Sequence, residues 1–230
     1  MSKPKIFIAC DTSDLKKLDK IIRQSQTTKL RISYKIGLEF FLSPKGRNFF
    51  SKLNNKKIFL DLKLNDIPNT CVAAIHSLKD LKKISYLTVH VNGGLDMLKA
   101  IKKASKKVNK NLKILGVTIL TSFSNSSIKK IGHTKSIKEL VKKQAALAKL
   151  AKLDGIVCSG HEVKFLKKIC KNMEIVTPGI RLVGDNKGDQ KRVMTPKQAF
   201  KNGATSIVMG RSLTNGNIKN NIKNLINSLY

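Results

Sequence analysis

Residues 136–158 read SIKELVKKQAALAKLAKLDGIVC. The stretch has two parts of different period. Over 136–153, Ile137, Leu140, Val141, Gln144, Ala145 and Ala148 recur at i, i+3, i+4 spacing with lysines on the other side, which predicts an amphipathic helix. Gly155-Ile156-Val157-Cys158 follows as a short uncharged run, which predicts a strand buried on both faces. The same alternation extends in both directions. Apolar runs occupy 6–10, 32–36, 58–62, 86–91, 114–120, 155–158, 175–177 and 205–209, and Lys-rich segments of helical period lie between them. Ser13, ahead of Leu15 and Leu18, reads as a helix cap. Pro68 and Pro196 sit where a first helical turn would tolerate them, and 218–229 reads as a closing helix.

Eight strand–helix units in strict alternation require parallel strands. No composition break or linker interrupts them, so residues 1–230 read as a single domain of the α/β class. A closed (β/α)8 TIM barrel suits eight units and 230 residues better than an open sheet.

The composition supports a packed core: 41% of residues are hydrophobic and 26% charged, unlike a disordered chain. The net charge is +32, from 46 Lys and Arg against 14 Asp and Glu. Only six of those bases are Arg. The lysines are spread along the chain beside abundant Asn and Ile, as AT-rich codons would supply them. Aromatics are only 5%, with no Trp to stack on bases, so no specific nucleic-acid partner is expected. Cys10, Cys71, Cys158 and Cys170 form no CxxC pair or zinc spacing, which suits a reduced, cytoplasmic protein. The apolar residues before Asp11 are too few for a signal peptide, and no run reaches the roughly 18 needed to span a membrane.

In such a barrel the chemistry gathers at the C-terminal ends of the strands. The third run ends Asp61-Leu62-Lys63-Leu64-Asn65-Asp66. Residues two apart on a strand share a face, so Asp61 and Lys63 should point together, opposite Leu60, Leu62 and Leu64. Two of the chain's few acids therefore bracket one lysine. A buried charged pair needs compensation, and a carboxylate-flanked lysine stays protonated, as a proton donor or an electrostatic device. Lys35, one strand over, would extend the row. Gly210-Arg211 after the last strand, with Arg181 from the preceding loop, suits a phosphate. The loop between Arg181 and Thr195 has the length of a lid and contains Gln190. Asp11 reads as a hydroxyl ligand or a helix cap. His90 reads as a hydrogen-bonded spacer before it reads as a base, and His133 and His161 have no supporting constellation.

Asp61-Leu62-Lys63-Leu64-Asn65-Asp66-Ile67-Pro68 resembles the DxKxxDIP signature of the orotidine 5′-monophosphate decarboxylases, bacterial type. Tyr34-Lys35-Ile36-Gly37, Leu120-Thr121-Ser122, Pro178-Gly179-Ile180-Arg181, Asp189-Gln190-Lys191-Arg192 and Gly210-Arg211-Ser212 follow in the family's order, so the resemblance covers essentially the whole chain. It implies decarboxylation of orotidine 5′-monophosphate to uridine 5′-monophosphate, the last step of de novo pyrimidine nucleotide synthesis, with no metal or organic cofactor. Lys63 would protonate the ring carbon, within a Lys35/Asp61/Lys63/Asp66 network. Asp11 and Lys35 would hold ribose hydroxyls, and Thr121 and Ser122 would lie by the pyrimidine. Arg181, Gln190, Gly210 and Arg211 would serve the phosphate. The enzyme would be a homodimer with shared sites, in which Asp66 reaches the neighbouring subunit and Ile67 and Thr70 join the partner's substrate. Val91-Asn92-Gly93-Gly94 and Thr214-Asn215-Gly216-Asn217 depart from the family's pattern, which puts two helix starts in question.

Two other readings compete. The Mg²⁺-dependent sugar-phosphate decarboxylases and synthases of the same superfamily resemble the chain at DxKxxD. They place a Glu on the second strand where Lys35 stands here, and a lysine would repel the metal. A basic nucleic-acid-binding barrel would need its lysines on one face.

Overall fold

The computed structural model describes residues 3–52, 57–185 and 192–230. Eight parallel strands close into a barrel in chain order: β1 (Lys5–Ala9), β2 (Arg31–Gly37), β3 (Ile58–Leu64), β4 (Ile84–His90), β5 (Lys113–Val117), β6 (Gly155–Val157), β7 (Glu174–Thr177) and β8 (Ser206–Met209). The seam closes where β8 pairs with β1, from Ile6↔Ile207 to Ile8↔Met209. The expected (β/α)8 architecture is the one observed.

Alternation along each strand builds two cores. Ile6 and Ile8 turn outward and join the large apolar layer between barrel and helices, while Phe7 and Ala9 turn inward with Phe59, Tyr86, Leu115, Val176 and Val208. Phe7 meets Phe59 and Tyr86 edge-to-face at 4.9 and 5.2 Å between ring centres. Below this aromatic layer, at the N-terminal face, Glu174 pairs with Lys5 at 2.9 Å and Lys113 at 2.5 Å and accepts from the Tyr86 hydroxyl. The aromatic layer therefore separates a structural ion cluster from the barrel's other mouth.

The helices begin where local chemistry dictates. Ser136 caps the helix Ile137–Leu150, and Glu139 returns a bond to the Ser136 N–H at 3.0 Å, closing a capping box. Ile137, Val141, Gln144, Ala145 and Ala148 are its buried face, and the Gln144 amide donates to Asn92 Oδ1 at 2.6 Å. Pro68 opens the helix Pro68–His76 and Pro196 the helix Pro196–Asn202. The helix Leu15–Gln24 is capped by Asp14, not by Ser13. The Asp14 carboxylate accepts from Lys16 N–H at 2.8 Å, while Ser13 N–H donates to Glu39. Two short helices, Leu38–Leu42 and Gly46–Lys52, fill the space between β2 and β3.

Both departures from the family's pattern still start helices. After the 3₁₀ turn Val91–Gly93, Gly94 takes φ +84°, a left-handed conformation that favours glycine, and opens the helix Gly94–Val108. Asn217 caps Ile218–Leu229 by accepting from Asn220 N–H. Strand ends differ from the apolar runs. The run 114–120 outlasts β5, which ends at Val117; Thr118 N–H makes a last bond to the Val157 carbonyl, and its hydroxyl donates to the same oxygen. Val91 lies in the 3₁₀ turn rather than in β4. Among the described residues no helix is long and apolar enough to cross a membrane.

Candidate active site

A cavity of about 590 Å³ opens at the C-terminal ends of the strands. Its apolar floor includes Ala9, Phe59, Val117, Val157 and Val208. Above that floor four charged side chains alternate in sign. Asp11 Oδ1 lies 3.1 Å from Lys35 Nζ, Lys35 Nζ lies 3.2 Å from Asp61 Oδ2, and Lys63 Nζ lies 2.8 Å from the same Asp61 oxygen.

The row arises from how β3 meets its neighbours. Between Leu60↔Leu87 and Leu64↔Val89, three residues of β3, Asp61, Leu62 and Lys63, face a single residue of β4, Thr88. The extra length is absorbed by a bulge, and Lys63 takes φ +51°, in the left-handed region. Asp61 and Lys63 do point together, as expected, but simple strand alternation is not the reason. The bulge turns the chain. Thr88, fully buried, holds it: its hydroxyl accepts from Lys63 N–H at 2.9 Å and donates to Asp61 Oδ1 at 2.8 Å.

The charges sustain one another. Burial favours neutral Asp61, but Lys35, Lys63 and the Thr88 hydroxyl outweigh it and hold the carboxyl below its ordinary range. Burial likewise disfavours charged Lys35, but Asp61 and Asp11 more than offset that and raise its pKa. His90, half-buried at the end of β4, is pushed down by burial and by Lys63, with Asp61 opposing. The hydrogen bond expected of a spacer is not among the described contacts of the His90 ring. Its buried Nδ1 has no hydrogen-bond partner among the described residues.

The cavity gathers most of the residues expected at the site. Asp11, Lys35, Asp61, Lys63, Thr121, Ser122, Arg181, Gly210 and Arg211 all line it. Gly179 takes φ +73° in the turn that precedes Arg181. Asp66, Ile67 and Thr70 lie outside it. All three are exposed, and Asp66 Oδ1 accepts only the adjacent Ile67 N–H among the described contacts. Within one chain Asp11, not Asp66, completes the charged row. Gln190 lies outside the described residues.

The long loop is tied down at its described ends. Arg181 N–H donates to the Met194 carbonyl and Met194 N–H to that of Gly179. Arg192 pairs with buried Glu162 and donates to the carbonyls of Ile119 and Leu120 at 3.2 and 3.1 Å, just ahead of Thr121. Sequence reasoning missed the Glu162–Arg192 pair and Thr88. The only signal for Thr88 was a hydroxyl inside a run expected to be buried on both faces. Among the described residues no three of His, Cys, Asp and Glu are grouped as metal ligands.

A closed parallel barrel with an Asp–Lys–Asp–Lys row at its C-terminal mouth, and two arginines on the rim, defines a (β/α)8 enzyme acting on a small anionic substrate. The chain belongs to the orotidine 5′-phosphate decarboxylase / HUMPS family, whose model matches residues 4–221. It is 42% identical over 222 residues to the orotidine 5′-phosphate decarboxylase of Prochlorococcus marinus (strain MIT 9312), covering 93% of this chain and 90% of that protein. It is 40% identical over 214 residues to the enzyme of the same name from Actinobacillus pleuropneumoniae serotype 5b (strain L20), covering 91% of each. The crystal structure of orotidine 5′-phosphate decarboxylase from Lactobacillus acidophilus superposes with a TM-score of 0.84 at 32% identity, over 99% of both chains.

Proposed function

We propose that this site converts orotidine 5′-monophosphate to uridine 5′-monophosphate and carbon dioxide, with Lys63 as the proton donor. The observation that carries the reading is the convergence of the Lys35 and Lys63 ammonium groups on one oxygen of Asp61 inside the cavity. Heterolysis of the bond between C6 of the pyrimidine and its carboxylate leaves the electron pair on C6. No ring substituent delocalises it well, so a fixed ammonium beside that carbon is the stabiliser available. Lys63 then passes a proton to C6, and solvent reprotonates the amine. Asp61 orients the lysine before the substrate arrives. Its own negative charge faces the substrate carboxylate, and that repulsion ends when carbon dioxide departs.

The other roles are those the family resemblance implies, and the cavity lining is compatible with them. Asp11 and Lys35 hold the ribose hydroxyls, and Thr121 and Ser122 flank the pyrimidine. Arg181, Gly210 and Arg211 bind the phosphate, with Gln190 from the adjoining loop. Binding energy from the phosphate, remote from the reacting carbon, is then available to the chemical step. Asp66, Ile67 and Thr70, exposed beside the mouth, serve the site of a second copy, so the working unit is a homodimer. The four cysteines are buried free thiols, which suits the cytoplasm.

The test is the ultraviolet spectrum of orotidine 5′-monophosphate mixed with the purified protein in EDTA. Conversion to the spectrum of uridine 5′-monophosphate is expected. An unchanged spectrum with folded, dimeric protein overturns the reading.

A further inference from the structure

We infer that Thr88 is a positioning residue for the reaction, its hydroxyl fixing the Lys63 backbone and the Asp61 carboxylate at once. The inference rests on the reading of Lys63 as proton donor. Thr88 is the single β4 residue facing Asp61, Leu62 and Lys63 across the register shift. A bulge of this kind leaves a backbone N–H without a ladder partner. Here that group is Lys63 N–H, and Thr88 Oγ1 accepts it at 2.9 Å. The same hydroxyl has one proton to give, and it goes to Asp61 Oδ1 at 2.8 Å. The other Asp61 oxygen takes both ammonium groups. One buried hydroxyl therefore sets where the Lys63 chain turns and how the Asp61 carboxylate is rotated toward the lysines.

Removal of the hydroxyl strands Lys63 N–H in the barrel wall and frees one Asp61 oxygen. The strained φ of Lys63 then loses its support, since such conformations persist only where the surroundings over-determine them. Relaxation toward a regular strand swings the Lys63 side chain, because strand register decides which face a side chain takes. The phosphate contacts lie on other strand ends and are untouched, and Lys35 keeps its second partner, Asp11, at 3.1 Å.

The experiment compares Thr88→Val, near in shape but without the hydroxyl, with Thr88→Ser, which keeps it. We expect Thr88→Val to lower kcat about 10- to 100-fold, the penalty of a small misplacement of a reacting group. KM should change far less than kcat, because the phosphate contacts are elsewhere and Asp11 still holds Lys35. Thr88→Ser should recover most of kcat. Wild-type kcat in Thr88→Val, or an equal loss in Thr88→Ser, overturns the inference. If Thr88→Val does not fold, Thr88→Cys, with its weak donor, is read in the same way. A crystal structure of the hydroxyl-less variant gives a readout independent of activity: Lys63 should leave the positive-φ region, and its retention there contradicts the inference. Wild-type protein inactive on orotidine 5′-monophosphate would overturn the proposed reaction instead, and the Lys63 backbone would still decide the role of Thr88.

Discussion

Lys35 and Lys63 share one oxygen of Asp61, at 3.2 and 2.8 Å, although they come from different strands. Two ammonium groups this close repel each other. Asp61 is the group that makes the arrangement stable, with Asp11 taking the outer side of Lys35. The site is thus charged before any substrate enters, which is the preorganisation that carbanion chemistry needs.

Asp61→Asn should therefore destabilise the fold as well as remove activity. Loss of one partner of a buried pair costs about 3 kcal/mol. The effect depends on pH. Asp61 is held below its ordinary value of 3.8, so its contribution is present above that value and disappears as the pH falls through the folded-state pKa. Denaturant unfolding of the two proteins from pH 7 down to pH 3 should show a gap that narrows with acid. A gap of constant size would mean that Asp61 contributes through shape alone.

The barrel's other face should behave differently. Glu174 gathers Lys5, Lys113 and the hydroxyl tip of Tyr86 beneath the aromatic rings. Burial disfavours its charge, but the two lysines outweigh that and lower its pKa. Glu174→Gln should cost about 2 kcal/mol and lower the melting midpoint by several degrees. Its kcat should match the wild type, because Phe7, Phe59 and Tyr86 lie between the cluster and the cavity. A kcat loss without a shift in midpoint would contradict that separation.

The proposed shared-site dimer makes a complementation prediction. Lys63→Ala and Asp66→Asn proteins should each be inactive alone. Mixed and allowed to exchange subunits, they should recover about a quarter of wild-type activity, since half the dimers are then hybrids with one intact site each. Activity that stays at zero through verified exchange would place Asp66 in its own chain's site.

Much of this was legible in the sequence, because the barrel repeats a local pattern. The run 155–158 and the helix before it have unambiguous periods, and eight such units leave few ways to close. The rim residues Arg181 and Arg211 were legible because arginine is scarce in a lysine-rich chain. What was hidden is what depends on pairing. The sequence shows Asp61 and Lys63 two apart, but only the register between β3 and β4 shows that a bulge, not alternation, brings them together. Thr88 escaped notice for the same reason, and so did Glu162, whose partner Arg192 is 30 residues away in the chain. Asp14 rather than Ser13 is the cap because the helix begins at Leu15, which puts the Asp14 carboxylate within reach of the Lys16 and Lys17 N–H groups.

The most direct test of the central claim is the turnover of orotidine 5′-monophosphate by Lys63→Ala protein, followed by ultraviolet absorbance beside the wild type, with folding checked by circular dichroism. A proton donor and local countercharge removed together should lower kcat at least about a thousandfold while the variant remains folded. A folded Lys63→Ala protein within tenfold of wild-type kcat would contradict the account.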